Sequence, residues 1–351
     1  MDEARLEQFM GKAVTDMAAA MTLLLMTIGD KLGIYKAMAG AGPLTAAQVA
    51  TKTGLNERYV REWLGNQVAS GYIEYDAGKK RYTLPDEHAF ALADEDSPVF
   101  LGGAFDLFGA TWAAEDKIAD AFQTGNGVGW HEHHPRLFRG TERFFRPGYR
   151  ANLTSAWIPA LKGVEKQLQS GAAVADVGCG HGASTIIMAE AYPQSTFTGF
   201  DYHQASIDEA EKKAAGAGVA DRAKFEVASA KDYPGKYDLI CFFDCLHDMG
   251  DPVGAARHAH EALKPGGTVL LVEPFANDTL QQNLNPVGRL FYAASTCICT
   301  PNSLSQEVGL GLGAQAGEQR LRRVFMDAGF ASFRRATETP FNLVLEARKA
   351  A

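Results

Sequence analysis

The stretch "VADVGCGHGAST", Val174 to Thr185, decides the fold. A short apolar run ends in Asp176 and Val177, and Gly178, Gly180 and Gly182 then fall at every second position. An apolar run this short, bounded by glycines, reads as a buried strand. Glycines between a strand and a helix let the backbone approach a ligand closely, and the start of the helix offers free N–H groups. In a doubly wound sheet this crest is where a nucleotide-like cofactor binds.

The flanking pattern supports such a sheet. From about residue 170 the chain alternates strand and helix through "STFTGFD", "AKFEVAS", "YDLICFFD" and "GGTVLLVEP", which implies parallel pairing. The end differs. "ASFRRATETP" and "FNLVLEARK" are separated only by a tight turn at Pro340, so these two strands must be antiparallel. The expected fold class is α/β: a Rossmann-like doubly wound sheet closed by a C-terminal antiparallel hairpin.

The N-terminal part is expected to be mostly helical. Thr45 and Asn56 can cap two short helices, the second carrying Val60, Trp63, Leu64 and Val68 on one face. "GYIEYDAGKKRYTL" then alternates around Asp76-Ala77-Gly78 as a hairpin. Helix, turn, helix and hairpin resemble a winged helix. Residues 91–165 are rich in aromatics and read as a helical linker that roofs a pocket. The expected division is 1–90, 91–165 and 166–351.

Composition narrows the classes. Of 351 residues, 46% are hydrophobic and 22% charged, as in globular proteins, and the net charge of -8 argues against a nucleic-acid binder. The apolar run Met17 to Asp30 is shorter than the roughly 20 residues that span a bilayer, and is read as a buried helix. The acidic N-terminus lacks the basic start of a signal peptide. The five cysteines form no CxxC pair. A cytoplasmic protein with no membrane association is the expectation.

"GCGHGA" fits both the dinucleotide GxGxxG/A pattern and the GxGxG loop of S-adenosylmethionine sites. Asp176 ahead of the loop, the long region before it and the closing antiparallel hairpin favour the second. Asp201 ends the next strand, and a carboxylate there suits two ribose hydroxyls.

"VADVGCGHG", "GFDYH", "YDLICFFDCLHDMGDP", "EALKPGGTVLLVEP" and "FMDAGF" stand in the order and spacing of class I S-adenosylmethionine-dependent methyltransferases, which this half of the chain resembles. With its winged-helix-like start, the whole chain resembles the small-molecule O-methyltransferases with an N-terminal dimerisation domain. Within these it is similar to a bacterial winged-helix family sometimes described as transcriptional regulators.

The resemblance implies S-adenosyl-L-methionine as cofactor, a small-molecule acceptor and a homodimer. It implies that Asp176, Gly178, Cys179, Gly180 and Gly182 cradle the methionine and ribose part, that Asp201 holds the ribose and that Tyr202 packs near the adenine. Where the family often has an acidic residue for the adenine amino group, this chain has Ser229 and Ala230. Phe243 and Asp244 would lie beside the sulfonium.

"LHDMGD" resembles the stretch of plant-type O-methyltransferases that carries their base, which makes His247 the general base and Glu273 the group that orients it. Gln315 and Glu318 lie where the family has a second glutamate.

Among the remaining residues, "GWHEHHP" gathers His131, His133 and His134 without a recognised metal spacing, so no metal is expected. Trp130, His134 and Tyr292 are expected to line the substrate side. Cys297 and Cys299 are read as part of an extended stretch or loop.

The alternative is a winged-helix DNA-binding regulator that senses the cofactor or another small ligand. It rests on Asn56, Arg58, Arg61 and the hairpin residues Lys79, Lys80 and Arg81.

Overall fold

The computed structural model describes residues 1–350. The chain divides into two compact units, Met1–Gly109 with Arg139–Pro147, and Ala110–Phe138 with the chain from Gly148 onward. Residues 91–165 contribute to both.

The first unit is a winged helix behind a long first helix, α1 (Glu3–Lys31). Thr45 and Gln48 close a reciprocal capping box on helix Ala46–Thr53, and Gly54 ends that helix in the left-handed conformation. Asn56 caps helix Glu57–Ala69 by accepting the Arg58 N–H. Strands β1 (Glu74–Asp76) and β2 (Arg81–Thr83) pair antiparallel as the wing. Tyr35, Val49, Val60, Trp63 and Leu64 fill the core beneath.

The reading of Met17–Asp30 as a buried helix is corrected. Only Thr22, Met26 and Gly29 of α1 are buried, while Met10, Val14, Met17, Met21, Leu24 and Ile28 are exposed. Apolar pattern alone does not say whether a face is covered by its own chain. The helix is long and apolar enough to cross a membrane by length and composition. Its exposed apolar residues nonetheless recur at alternating steps of four and three, the seam spacing of a helix that packs on another helix.

The second unit holds a seven-stranded sheet. Its strands are β3 (Ala173–Val177), β4 (Thr196–Asp201), β5 (Ala223–Val227), β6 (Tyr237–Phe243), β7 (Leu263–Pro274), β8 (Ser332–Glu338) and β9 (Asn342–Arg348). The order is β5-β4-β3-β6-β7-β9-β8, parallel from β5 through β7, with β9 antiparallel to both β7 and β8. The strand order reverses between β3 and β4 on one side and β6 on the other, which opens a crevice at the C-terminal ends of β3 and β6. The central strands are apolar on both faces: Val174, Ala175, Val177, Ile240, Phe242, Val269 and Leu271 are all buried. Such runs belong to a parallel sheet covered on both sides.

Candidate active site

The glycine loop follows β3 at the switch point. Its start is tied to β4, because the Gly178 and Cys179 N–H groups both donate to the Phe200 carbonyl, at 2.8 and 3.0 Å. Gly178, Gly180 and Gly182 have φ of 75°, 52° and 77°, a region L side chains avoid. The three do different things. A Cβ on Gly178 would meet Cys245 Sγ at 2.8 Å, and one on Gly182 would meet the Phe225 ring at 2.7 Å. A Cβ on Gly180 would meet nothing within 4 Å. Gly178 and Gly182 therefore serve packing, while Gly180 presents bare backbone to open space.

Asp201 faces the loop. One carboxylate oxygen accepts the Gly180 N–H at 3.0 Å and the other the His203 N–H at 2.9 Å. Asp176, below, accepts both Ser184 Oγ and Thr185 Oγ1 at 2.6 Å on Oδ2. Its Oδ1 is buried without a partner among the described residues. Burial pushes the Asp176 carboxyl up to about 6, against the two hydroxyls that hold it down.

Beyond β4, Tyr202 is half open to solvent. Ser229 is exposed and its Oγ accepts the Lys231 N–H, with Ala230 half-buried beside it. Phe138 stacks on His203 at 4.5 Å between ring centres, and Trp130 packs edge-on against Phe138 at 6.0 Å. Trp130 thus comes to the Asp201 side of the crest.

Beyond β6, Asp244 has φ of 51°, strained for an aspartate. It is held by Tyr149, whose hydroxyl donates to Oδ2 at 2.9 Å, and by Asn342, whose amide donates to Oδ1 at 3.3 Å. Burial pushes Asp244 up to about 7, with the charge of Glu273 adding to it. The Tyr149 ring lies 5.5 Å from Phe243 and 5.9 Å from Trp157. Strand end, carboxyl and aromatic rings form one cluster.

The structure brings His247 and Glu273 together. Both are buried, at 4% and 1% exposure. Glu273 Oε1 accepts the Leu246 N–H at 3.0 Å, which fixes the carboxylate, and Oε2 bonds His247 Nδ1. Burial alone would pull the His247 pKa down. The Glu273 charge outweighs it and lifts it well above the ordinary value. The Gly313 N–H donates to the His247 carbonyl at 2.9 Å, so the rim turn is pinned by backbone as well.

Other expected residues fall elsewhere. His134 is exposed, and its Nδ1 accepts the Arg136 N–H at the start of a helix. His133, two residues before Pro135, is the buried member of that trio. Tyr292 is half-buried on helix Pro286–Ala294. Glu318 is committed to Arg322 and Arg335 at 3.0 and 2.8 Å. Cys297 and Cys299 lie in a wide helical turn, Ser295–Cys299, and not in an extended stretch. That turn continues helix Pro286–Ala294, whose apolar periodicity runs on into "STCIC" and was the signal to follow.

Two contributors escaped the sequence reading: Tyr149 and Asn342. Tyr149 is 95 residues from Asp244 and Asn342 is 98. No local pattern ties them to it.

A glycine loop at the switch point, facing a carboxylate one strand over, on a sheet closed by an antiparallel β9, defines the class I methyltransferase fold. The comparisons agree. The family described as "Methyltransferase domain" matches residues 168–329, and the "Rv2258c-like winged HTH domain" matches 19–94. The two matches lie in tandem on the chain, a winged helix-turn-helix domain followed by a methyltransferase domain, and the sheet has the class I methyltransferase fold.

It is similar to the 27-O-demethylrifamycin SV methyltransferase of Amycolatopsis mediterranei (strain S699), 34% identical over 107 residues, which are 30% of this chain and 39% of that one. The chain thus spans well under two thirds of that relative's length. Its fold is that of the mitomycin 7-O-methyltransferase MmcR, with TM-score 0.70, 20% identity and coverage of 98% and 99% of the two chains. It is also that of human N-acetylserotonin methyltransferase in complex with SAM, with TM-score 0.69, 20% identity and coverage of 100% and 99%.

Proposed function

We propose that this chain transfers the methyl group of S-adenosyl-L-methionine to a hydroxyl oxygen of a small, largely apolar acceptor, with His247 as general base. The observation that carries the reading is the buried His247–Glu273 pair on the rim next to the Gly180–Asp201 seat.

The residues fit the cofactor. Gly180 offers open backbone, Asp201 has lone pairs left for two ribose hydroxyls, and Asp176 holds a buried oxygen without a partner. The Tyr149, Trp157 and Phe243 rings with Asp244 make surroundings that suit a cation. Asp176, Gly178, Cys179, Gly180, Gly182 and Asp201 would hold it, with Tyr202, Ser229 and Ala230 toward the base and Phe243 and Asp244 toward the sulfonium. When bound it supplies a methyl group already activated for displacement.

The chain's own task is positioning and proton removal. Positioning contributes several kcal/mol, and a general base about 10²–10⁴-fold. Glu273 holds Nδ1, so Nε2 is the nitrogen left to take the acceptor's proton, and the carboxylate stabilises the imidazolium that results. Because the His247 pKa is raised, the ring must first release its own proton, and turnover should climb with pH.

The exposed seam of α1 supports a second copy of this chain as partner. The regulator alternative has less support. Arg58 and Arg61 on the second helix each bond a glutamate one turn away, Glu62 and Glu57, which neutralises the stripe a DNA-reading helix would present. Labelled S-adenosylmethionine with a panel of phenols, catechols and polyketides tests the function: label should appear in at least one acceptor. A panel that stays unlabelled while the protein retards duplex DNA at low salt would reverse the choice.

A further inference from the structure

The turn that carries His247 is held from two sides. Ahead of the ring, Glu273 takes the Leu246 N–H and His247 Nδ1. Behind it, the carbonyls of four consecutive residues, His247 to Gly250, all accept hydrogen bonds from one later segment, Asn302 to Gly313. The Gly313 N–H donates to His247 at 2.9 Å and the Leu310 N–H to Gly250 at 2.9 Å. Asn302 Nδ2 donates to Asp248 at 3.0 Å, and Ser303 Oγ to Met249 at 2.8 Å. Gln306 adds a second donor to Asp248 at 3.1 Å and accepts the Gly250 N–H at 3.0 Å. Val308, inside the segment, has φ of 73°, which is strained for a β-branched residue and persists only where the surroundings hold it.

A ring tethered only at Nδ1 can still pivot about that bond. Fixing the backbone behind it fixes the Cα–Cβ direction, and with it the direction of Nε2. Among the bonds behind the ring, the one from Asn302 has a second end. Asn302 is 5% exposed, and its Oδ1 accepts the Trp130 N–H at 2.9 Å. The Val128 N–H donates to the neighbouring Pro301 carbonyl at 3.0 Å, so the Val128–Trp130 segment lies along helix Thr300–Leu304. Trp130 packs on Phe138, and Phe138 on His203, whose N–H is bonded to Asp201. One buried amide thus joins the turn of the base to the wall beside Asp201. A carboxylate in its place would lack the donor, and a leucine both donor and acceptor.

We propose that Asn302 is a positioning residue for methyl transfer: it braces the His247 turn against the Trp130 segment and so sets where Nε2 points. The inference rests on His247 as base, and Asn302 acts through that ring without touching donor or acceptor. Misplacing a reacting group by about 1 Å costs on the order of 10²-fold. The loss should fall on acceptors whose proton must be removed, because an acceptor that is already an anion needs no base.

The test compares the full-length wild type with Asn302→Leu and Asn302→Asp. The aspartate keeps the size and can still accept the Trp130 N–H, but it sets a carboxylate oxygen against the Asp248 carbonyl. Hydrogen exchange read by mass spectrometry needs no turnover. In both variants amides 246–251 should exchange at least about tenfold faster than in wild type, with protection of β3 and β6 retained as proof of fold. In turnover, un-ionised phenols and catechols should lose about 10–100-fold in kcat with KM within about threefold. Their nitro derivatives, ionised just above neutral pH, should lose less than about threefold. Amides 246–251 that exchange as in wild type overturn the inference. So does an equal loss for ionised and un-ionised acceptors, the mark of a merely structural role. Either result in a working transferase removes this inference alone, whereas a wild type that methylates no acceptor removes the transferase reading on which it rests.

Discussion

Glu273→Gln probes the base through the residue that orients it. In the native protein Glu273 Oε1 accepts the Leu246 N–H and Oε2 bonds His247 Nδ1, both out of solvent. Glutamine is nearly isosteric. Its oxygen can keep the Leu246 bond, which leaves its NH₂ facing Nδ1. An NH₂ there makes Nδ1 an acceptor, so the ring proton moves to Nε2 and the nitrogen meant to receive the acceptor's proton is blocked. The loss is the general-base contribution, about 10²–10⁴-fold in kcat, or roughly 3–5 kcal/mol of barrier. The charge that lifts the His247 pKa is also gone, so the wild-type climb of rate with pH should move to lower pH or vanish. The assay is initial-rate methyl transfer between pH 6 and 9, with donor affinity measured separately. Affinity should change less than about threefold, since Glu273 touches none of the loop residues. A variant whose kcat stays within about fivefold of wild type across that range would refute the reasoning, because a base that needs orienting cannot survive the wrong tautomer so cheaply.

Three further outcomes follow from other parts of the molecule. Met21→Glu on the exposed seam of α1 should convert a dimer to a monomer by light scattering, and an unchanged mass would remove the seam as the interface. Arg143 bonds Asp30 at 2.7 Å and Glu95 at 3.2 Å and is largely buried, so Arg143→Met should cost about 2–4 kcal/mol in urea unfolding, and a loss below 1 kcal/mol would contradict that. Asp244 titrates near 7 in the folded protein against 3.8 as the ordinary value. The folded state therefore binds that proton more tightly, and wild-type stability drains as pH rises from about 4 to 7. Asp244→Asn should gain on wild type by about 2–4 kcal/mol over that window, and a gap that stays constant with pH would sink the assignment.

The sheet was legible in the sequence because its signals are local. Apolar runs, the glycine loop after Val177 and the Pro340 turn each report on a few neighbouring residues, and the parallel order with its antiparallel close follows from them. His247 and Glu273 were legible as a pair only through the resemblance, which puts one just past β6 and the other near the end of β7. Tyr149 and Asn342 were not, because their meeting with Asp244 depends on how distant segments cross, which periodicity does not encode. The local state around Cys297 and Cys299 was misjudged: an extended stretch or loop was expected, whereas the chain there makes a wide helical turn. The first helix shows the opposite limit. Its apolar run suggested a buried helix, yet most of those residues stand exposed, because apolar pattern does not say whether a face is covered.

The account depends most on the seat formed by Gly180 and Asp201. Titration calorimetry of S-adenosylhomocysteine into wild type and Asp201→Ala tests it directly, with NAD as the competing ligand. Wild type should bind S-adenosylhomocysteine and ignore NAD, and Asp201→Ala should weaken binding by at least about tenfold, the value of hydrogen bonds to a charged group. No heat from S-adenosylhomocysteine at millimolar concentration, or preferential binding of NAD, would contradict the account.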